Sequence, residues 1–345
     1  MAYTGINKSS AYFNTKLYTG NGGTNAITGV GFQPDWVWVK NRGIGTDAPT
    51  IYDAVRGATK RLQTSSTGAE STKTNGLTAF GSDGYTAGSA SAINANGSNI
   101  ASWNWKAGTT SGLSGGTITP SSYSINSTSG FGIYKYTGTG SAGTIASGLP
   151  SVKCFIIKAL DASSNGWIVY HQDLGTNKYL QLDETSAPYT GTSQFNDTAP
   201  TTSTTNSLIS VGTAGSSNSS GRDYIMYAFS ELQGYSKFGS YVGNGTNDGT
   251  FVYTGFKPAF VIAKLTSGVD NWILMDNKRL GYNGANYQLL PNSNLADQTP
   301  ERLDLLSNGF KCRNGNGEVN GSGATYIYIA FAEAPLVGDN PATAR

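Results

Sequence analysis

The amino-acid sequence predicts an all-β protein built from three tandem antiparallel β-sandwich or jelly-roll-like modules. The main observation is a repeat, because residues 221–232 return at 323–335 almost letter for letter, with Gly221 and Gly323 102 residues apart. A weaker third copy lies at 97–107. Each copy alternates bulky residues after a glycine, which is the pattern of a β-strand with one buried face. The 46 glycines and 20 tyrosines also fit strands joined by many tight turns.

Further markers recur in the same order ahead of each closing strand. A Tyr-x-Gly-x-Gly turn is followed by a proline, which ends the incoming loop, and then by an apolar central strand that ends in lysine. A third strand follows. The turn lies at 18–22, 136–140 and 241–245. The proline and the lysine strand lie at 31–40, 148–158 and 255–264. The third strand lies at 51–57, 167–171 and 272–276. A fourth marker, an Asp-Gly or Asn-Gly turn with its strand, lies at 82–86 and 307–311. The Thr/Ser-rich stretch 201–207 takes its place in the middle copy.

These markers divide the chain into an arm, three units, a linker and a tail. At least five short strands per unit without helical alternation favour antiparallel sandwiches, and units of about 100 residues are too long for propeller blades of about 40–50. The linker is rich in Gly, Ser and Thr, so we expect separate units in a row, with most relative motion between the first unit and the rest. The predicted segments are the arm (1–12), unit one (13–107), the linker (108–132), unit two (133–233), unit three (234–335) and the tail (336–345).

Charge and composition exclude several classes of partner. Only 13% of the residues are charged and the net charge is +2, which is too little to neutralise a phosphate backbone or to coat an anionic membrane. No secretory signal or apolar membrane span is visible, so we expect synthesis in the cytoplasm and no nucleic-acid or membrane partner. The two cysteines, Cys154 and Cys312, match no metal or disulfide framework, and buried thiols are favoured over a bridge between them.

The residues that could carry catalysis point to structural roles instead. The single histidine, His171, has no Gly-x-Ser-x-Gly elbow to work with and is expected at a sheet surface. One histidine and two scattered cysteines provide no metal site, and no glycine-rich turn has the spacing of a phosphate loop, so no cofactor is expected. Glycoside hydrolysis would need two convergent carboxylates, for which the candidates are Asp53, Glu70, Asp276, Asp297 and Glu333.

Those five acids are better explained as solvated loop and edge residues. Arg56 follows Asp53, and Lys278 and Arg279 follow Asp276, so local ion pairs account for both acids. We therefore predict no catalytic residue.

Six tryptophans could stack on sugar rings, but they lie inside predicted strands and recur as Phe or Ile in other units. Core positions are favoured over a sugar platform, and no carbohydrate-binding residue is assigned. The tryptophans are Trp36, Trp38, Trp103, Trp105, Trp167 and Trp272.

Several of these runs together resemble a known family. The runs are Gly-Phe-Gln-Pro-Asp-Trp-Val-Trp-Val-Lys at 31–40, residues 55–60, residues 271–279, residues 306–311 and residues 326–333. They resemble a repeat module of structural proteins of tailed bacteriophages, especially phages of marine and other aquatic bacteria. The resemblance covers units one and three closely and unit two loosely. It implies a virion component of β-sandwich modules and supplies no catalytic residue.

The expected function is therefore a non-enzymatic bacteriophage virion structural protein: a tail fibre, head fibre or capsid decoration, with adhesion to host surface glycans as an accompanying role. Its partners would be other tail or capsid proteins, and a homo-oligomer is expected, with a trimer by analogy with phage fibres. Two alternatives stay open. One is a polysaccharide-degrading glycosidase of the tailspike type, which needs paired acids in a groove. The other is a cellular carbohydrate-binding adhesin, which needs an export route.

Overall fold

The computed structural model describes residues 4–195, 201, 206–279, 287–338 and 341–342. The chain is 43% strand and 4% helix, which confirms the all-β prediction. All strand pairs within the described residues are antiparallel, and they form six sheets that fall into three parts along the chain. We call these the N-terminal part (residues 13–105), the middle part (108–230) and the C-terminal part (236–335).

The N-terminal part follows a short 3-10 helix, Ser9–Ala11, and forms two sheets. Its elements are β1 (Phe13–Thr19), β2 (Asn25–Ile27), β3 (Trp36–Asn41), β4 (Thr50–Asp53), β5 (Lys60–Gln63), β6 (Ser71–Thr72), β7 (Leu77–Gly81), β8 (Gly84–Ala87), α1 (Ser91–Asn94) and β9 (Asn99–Trp105). The large sheet has the order β1-β9-β3-β4-β5-β6, and the small sheet has the order β2-β8-β7.

The middle part repeats this plan with one added edge strand in its large sheet and with two described strands, where the N-terminal part has three, in its small sheet. Its elements are β10 (Ser122–Asn126), β11 (Phe131–Thr137), β12 (Gly143–Ala146), β13 (Val152–Ala159), β14 (Ile168–His171), the 3-10 helix Gln172–Leu174, β15 (Lys178–Gln181), β16 (Tyr189–Thr190), β17 (Leu208–Val211) and β18 (Asp223–Ser230). The large sheet has the order β10-β11-β18-β13-β14-β15-β16, and β12 pairs with β17. Most of the stretch 201–207 lies outside the described residues, and β17 occupies the place of the fourth marker's strand.

The C-terminal part completes the series. Its elements are β19 (Ser236–Val242), β20 (Phe251–Tyr253), β21 (Phe256–Leu265), β22 (Trp272–Asp276), β23 (Leu303–Leu306), β24 (Gly309–Cys312), α2 (Gly317–Asn320) and β25 (Thr325–Pro335). The large sheet has the order β19-β25-β21-β22, and the small sheet has the order β20-β24-β23. The closing strands β9, β18 and β25 thus lie at equivalent places: each pairs on one side with β1, β11 or β19 and on the other with the lysine strand β3, β13 or β21.

Each large sheet buries one face against the small sheet of its own part. In the N-terminal part, Val37 and Val39 of β3 share a cluster with Ile27 and Tyr85 of the small sheet. Separate clusters of the same kind fill the middle and C-terminal parts. Alternation along the strands sends every second apolar side chain to this face, which leaves the intervening side chains for the other face.

The opposite faces of the three large sheets meet in one shared core. Trp36 and Trp105 from the N-terminal part, Phe229 from the middle part and Phe260 and Phe331 from the C-terminal part belong to a single buried cluster. The expectation of separate units in a row is therefore wrong. The closing strands are buried on both faces, not on one, because each large sheet lies between its small sheet and the other two parts.

The predicted linker and arm are built into the fold. Residues 108–132 contain β10, which pairs with β11, and Gly116 bridges to Ile145 of β12. Within the described part of the arm, Ile6 is buried in the shared core and Thr4 is buried as well. The linker prediction fails because Gly, Ser and Thr, though typical of flexible segments, also suit an extended strand laid along an open sheet edge.

Candidate functional site

The contacts between the three parts are where this chain concentrates its aromatic and ionisable side chains. Their centre consists of the five rings Trp36, Trp105, Phe229, Phe260 and Phe331, which we call the aromatic centre. Trp36 and Trp105 have ring centroids 4.5 Å apart, Trp105 lies 5.5 Å from Phe331, and Phe229 lies 5.8 Å from Phe331. Offset and edge-to-face ring pairs at such distances add stabilisation beyond their buried area.

All six tryptophans are almost completely buried, which confirms their interpretation as core residues. The rings themselves join different parts, because Trp36 lies 4.8 Å from Tyr227 of the middle part and Trp105 lies 5.5 Å from Phe260 of the C-terminal part. A sugar could not reach any of them without separating the parts.

Around the aromatic centre, three residues at the ends of equivalent strands make hydrogen bonds between the parts. These bonds form a cycle, because the residue of each part bonds to the next part: N-terminal to middle, middle to C-terminal and C-terminal to N-terminal. Asp53 at the end of β4 accepts a hydrogen bond from the Tyr227 hydroxyl of the middle part, at 2.7 Å. Asp276 at the end of β22 accepts one from the Trp103 indole N–H of the N-terminal part, at 3.0 Å. His171 holds the corresponding place at the end of β14.

His171 bonds to the C-terminal part and is fully buried, so its predicted place at a sheet surface is wrong. Its Nδ1 accepts the backbone N–H of Asp173 at 3.2 Å, which leaves Nε2–H to donate to the carbonyl of Tyr328 at 3.1 Å. Burial lowers the pKa of His171 to about 4, against smaller opposing effects of Asp173 and Glu231. The ring is therefore neutral at pH 7 and fixed by two bonds, which suits a structural role and not a general base.

A second cycle of bonds runs in the opposite direction through the three marker lysines. Lys40 donates to the carbonyl of Asn294 at 2.9 Å, Lys158 to that of Thr67 at 2.8 Å, and Lys264 to that of Thr185 at 3.1 Å. Each lysine thus reaches from its own part into a loop of a different part.

The three lysines share burial as well as position. Each residue is at most 1% exposed, and burial lowers the pKa of all three to about 8. An ammonium group is costly to bury unless carbonyl oxygens replace its water, and each Nζ has at least two such partners. Lysine recurs at this place because its ammonium group bonds to backbone carbonyls of two parts at once.

Two tryptophan indoles reinforce the second cycle. Trp167 donates to the carbonyl of Gln63 at 3.0 Å and Trp272 to that of Gln181 at 2.9 Å, each across to a neighbouring part. Pro49 stands at the equivalent place in the N-terminal part, where a small, largely apolar cavity lies between it and Pro291. The two tryptophan bonds therefore run in the same direction as the lysine bonds, and the N-terminal part has a proline in place of the third tryptophan.

The candidate acids are mostly bound to arginines inside the same contacts. Asp53 and Asp276 are buried, and each pairs with the arginine three residues later: Arg56 Nε at 2.5 Å and Arg279 Nε at 2.6 Å. Burial alone would raise the pKa of Asp276, but the Arg279 guanidinium and backbone N–H groups lower it overall. The predicted local ion pairs are confirmed, and the description of these two acids as solvated is wrong.

The other three candidate acids do not converge on a groove either. Glu70 lies 3.1 Å from Arg56, Asp297 lies 2.9 Å from Arg279 and 2.5 Å from Arg42, and Glu333 lies 3.0 Å from Lys257. Two acids therefore share one arginine in the N-terminal part and two share one in the C-terminal part. A guanidinium fills the space between those carboxylates, where a glycosidase would place its substrate.

Both cysteines are free thiols and buried, as the sequence predicts, and burial raises the pKa of each. Among the described residues no group of three or more His, Cys, Asp or Glu side chains could hold a metal ion. A search of the same residues finds no helix long and apolar enough to cross a membrane.

Sequence reasoning missed the contacts between the parts, although two signals for them were present. Trp36–Asn41 and the three closing strands carry apolar residues on both faces, which indicates a sheet covered on two sides. The second signal is the lysine that ends the second marker in all three copies. A lysine exposed to solvent would have no structural reason to recur at one place, so its recurrence indicates a buried role.

A comparison with family models finds a match to one of them, described as Domain of unknown function (DUF7483), over residues 8–335. The chain belongs to this family. No curated protein and no solved structure matches it. The DUF7483 match spans all three parts, in keeping with the core that they share.

Proposed function

We propose that this DUF7483 chain is a non-enzymatic structural component of a bacteriophage particle, used as a tail fibre, head fibre or capsid decoration. The proposal takes its biological setting from the resemblance of the marker runs to phage structural modules. It takes each part to be an antiparallel β-sandwich or jelly-roll-like module, with a large and a small sheet packed face to face. We further propose that the finished protein resides in the virion, after assembly in the host cytoplasm.

One observation carries the structural role. The side chains that could act in catalysis or ligand binding are the buried histidine, lysines, acids and tryptophans. In this structure they hold the three parts against one another. A body whose described residues include 86 buried apolar ones suits a particle exposed to the environment, where loosely joined modules would be open to proteases. The same use of Asp53 and Asp276 argues against the glycosidase alternative.

Contact with host glycans would use the outer surface, since the tryptophans are inaccessible. A groove of about 380 Å³ between the middle and C-terminal parts is lined by Asp173, Lys178, Ser240 and Thr266, among others. Carboxylate, ammonium and hydroxyl groups are the kinds of partner that sugar hydroxyls use. We propose this groove as the first place to look for glycan contact, with Lys178→Ala as the variant that should weaken it.

The test of the proposed function is immunogold labelling of purified phage particles, viewed by electron microscopy with an antibody against this chain. Label on the tail or its fibres supports host attachment and justifies a glycan screen. Label over the head supports a head fibre or decoration protein. Particles without label would overturn the virion proposal.

Two measurements test the rest of the proposal. Release of reducing ends from host capsule by the wild-type protein would contradict a non-enzymatic role. Alanine at Asp53 or Asp276 is a poor control there, because each change breaks a buried ion pair. Light scattering tests the proposed homo-oligomer, which must form through outer faces because the three parts already cover one another inside. A monomer would remove that proposal for the isolated protein.

A further inference from the structure

Each small sheet ends in an edge strand, and the three edge strands differ in what lies beside them. The edge strands are β2, β12 and β20, and each pairs with its neighbour so that one apolar residue points inward: Ile27, Ile145 or Val252. The register places Thr144 of the middle part at the position of Phe251 in the C-terminal part. A comparison of the three edges therefore compares equivalent atoms.

In the middle part, the chain covers this edge with its own extended segment. Thr117 N–H and Ile118 N–H donate to the carbonyl of Thr144, at 2.8 and 2.9 Å, and Thr144 N–H donates to the Thr117 hydroxyl at 2.8 Å. The side chain of Ile118 is buried. Residues 116–118 thus cover the outer edge of β12, with one isolated β-bridge between Gly116 and Ile145.

The approach of this segment depends on a glycine. Gly116 has φ of +77°, and a Cβ there would lie 2.7 Å from the carbonyl oxygen of Thr144 and 2.8 Å from the backbone nitrogen of Ala146. Only a residue without a side chain can come so close in that conformation. The outer edge of β12 therefore binds a segment that has a glycine, then a small hydroxyl residue, then a branched aliphatic residue.

The equivalent edge in the C-terminal part is open among the described residues. Cys312 N–H bonds to Thr250 and Thr254 N–H bonds to Asn308, so alternation turns the backbone groups of Phe251 and Tyr253 outward. Their side chains are 43% and 53% exposed. An edge with outward N–H and C=O groups is a template for another strand.

Exposed aromatic side chains distinguish this edge from that of the N-terminal part. Ala26 and Thr28 hold the corresponding places beside β2, and both are small. Phe251 and Tyr253 stand on the outer face of β20, where an added strand would place its own side chains beside them. Large exposed aromatics cost solubility, so their presence at one edge alone favours a partner there.

We propose that the outer edge of β20 binds an extended segment of a different protein, paired with the edge in the manner of residues 116–118 on β12. The segment contains glycine, a small hydroxyl residue and a branched aliphatic residue in succession. Main-chain hydrogen bonds to Phe251 and Tyr253 supply the pairing, and the two rings cover its outward side chains.

The test uses a capped peptide with the sequence of residues 114–120, Ser-Gly-Gly-Thr-Ile-Thr-Pro, titrated into the whole isotope-labelled protein and followed by amide NMR shifts. The expected result is a saturable shift of the Phe251 and Tyr253 amides. A peptide with alanine at the second glycine is the matched control and should produce no such shift. The double variant Phe251→Ala, Tyr253→Thr, which imitates the N-terminal part, should bind about fivefold more weakly.

Three results would overturn the proposal. One is the absence of any shift in β20 at the highest soluble peptide concentration. Another is an equal shift in β2 that the double variant leaves unchanged, because the aromatic side chains would then have no role. The third is a shift of the same amides when the protein alone is concentrated, which would make a second copy the occupant.

Discussion

His171 offers a test of the contacts between the parts, because burial keeps its pKa low only while the middle and C-terminal parts stay together. Burial lowers its pKa in the folded protein to about 4, against about 6.5 in an unfolded chain. Between those values the unfolded chain binds more protons than the folded one. The contribution of His171 to stability is therefore complete above about pH 6.5 and is lost as the pH falls through about 4.

The magnitude follows from the two pKa values. At pH 5, protonation of the unfolded chain lowers the unfolding free energy by about 2 kcal/mol relative to pH 8. His171→Gln removes this titration but keeps an amide N–H that can donate to the Tyr328 carbonyl. Urea unfolding followed by tryptophan fluorescence at pH 8 and pH 5, for both proteins, measures the effect. The wild type should lose about 2 kcal/mol more than the variant between the two pH values.

The variant is its own control, since both proteins carry the same carboxylates and differ in one titrating group. Equal losses in the two proteins would mean that His171 titrates normally in the folded state. The ring would then be accessible to water, and the contact between β14 and β25 would not be closed as described.

The remaining predictions concern the buried charges and one glycine. Asp276→Ala should cost about 3–5 kcal/mol because it leaves Arg279 buried without its nearest partner, and adding Arg279→Met should cost less than the sum of the two changes in urea unfolding. Lys158→Met should cost about 1–3 kcal/mol by leaving two partly buried carbonyls without this donor, whereas Lys178→Met at an exposed position should change the unfolding free energy by about 0.5 kcal/mol or less. Gly84→Ala should lower the melting temperature, because Gly84 has φ of +147° and a Cβ there would lie 1.9 Å from a backbone oxygen of β2.

The repeat and the strand alternation were sufficient to predict the all-β class, because both are local properties of the sequence. Gly-rich turns and apolar periods specify where strands begin and which residues share a face. They do not specify what covers the second face. Trp36 and Trp38 were correctly predicted to be core residues, and the apolar residues on both faces of their strand indicate that its second face is covered. Nothing local identifies the middle and C-terminal parts as what covers it.

Burial of charge was the other feature that local patterns could not supply. Lys40, Asp53 and Asp276 look like surface residues because charged side chains are seldom buried without partners. Each also has a partner in another part of the chain, as the Asp276 bond to Trp103, 173 residues away, illustrates. Long-range pairs of this kind depend on how the sheets pack, so the sequence predicted the ion pairs with Arg56 and Arg279 but not their location.

Differential scanning calorimetry of the whole chain tests most directly whether the three parts form one body. Chains of this length commonly unfold in several steps when their domains are independent. A shared aromatic centre and two cycles of bonds predict a single transition, with equal calorimetric and van't Hoff enthalpies. Two or three separable transitions would contradict the account, because the parts would then be stable without one another.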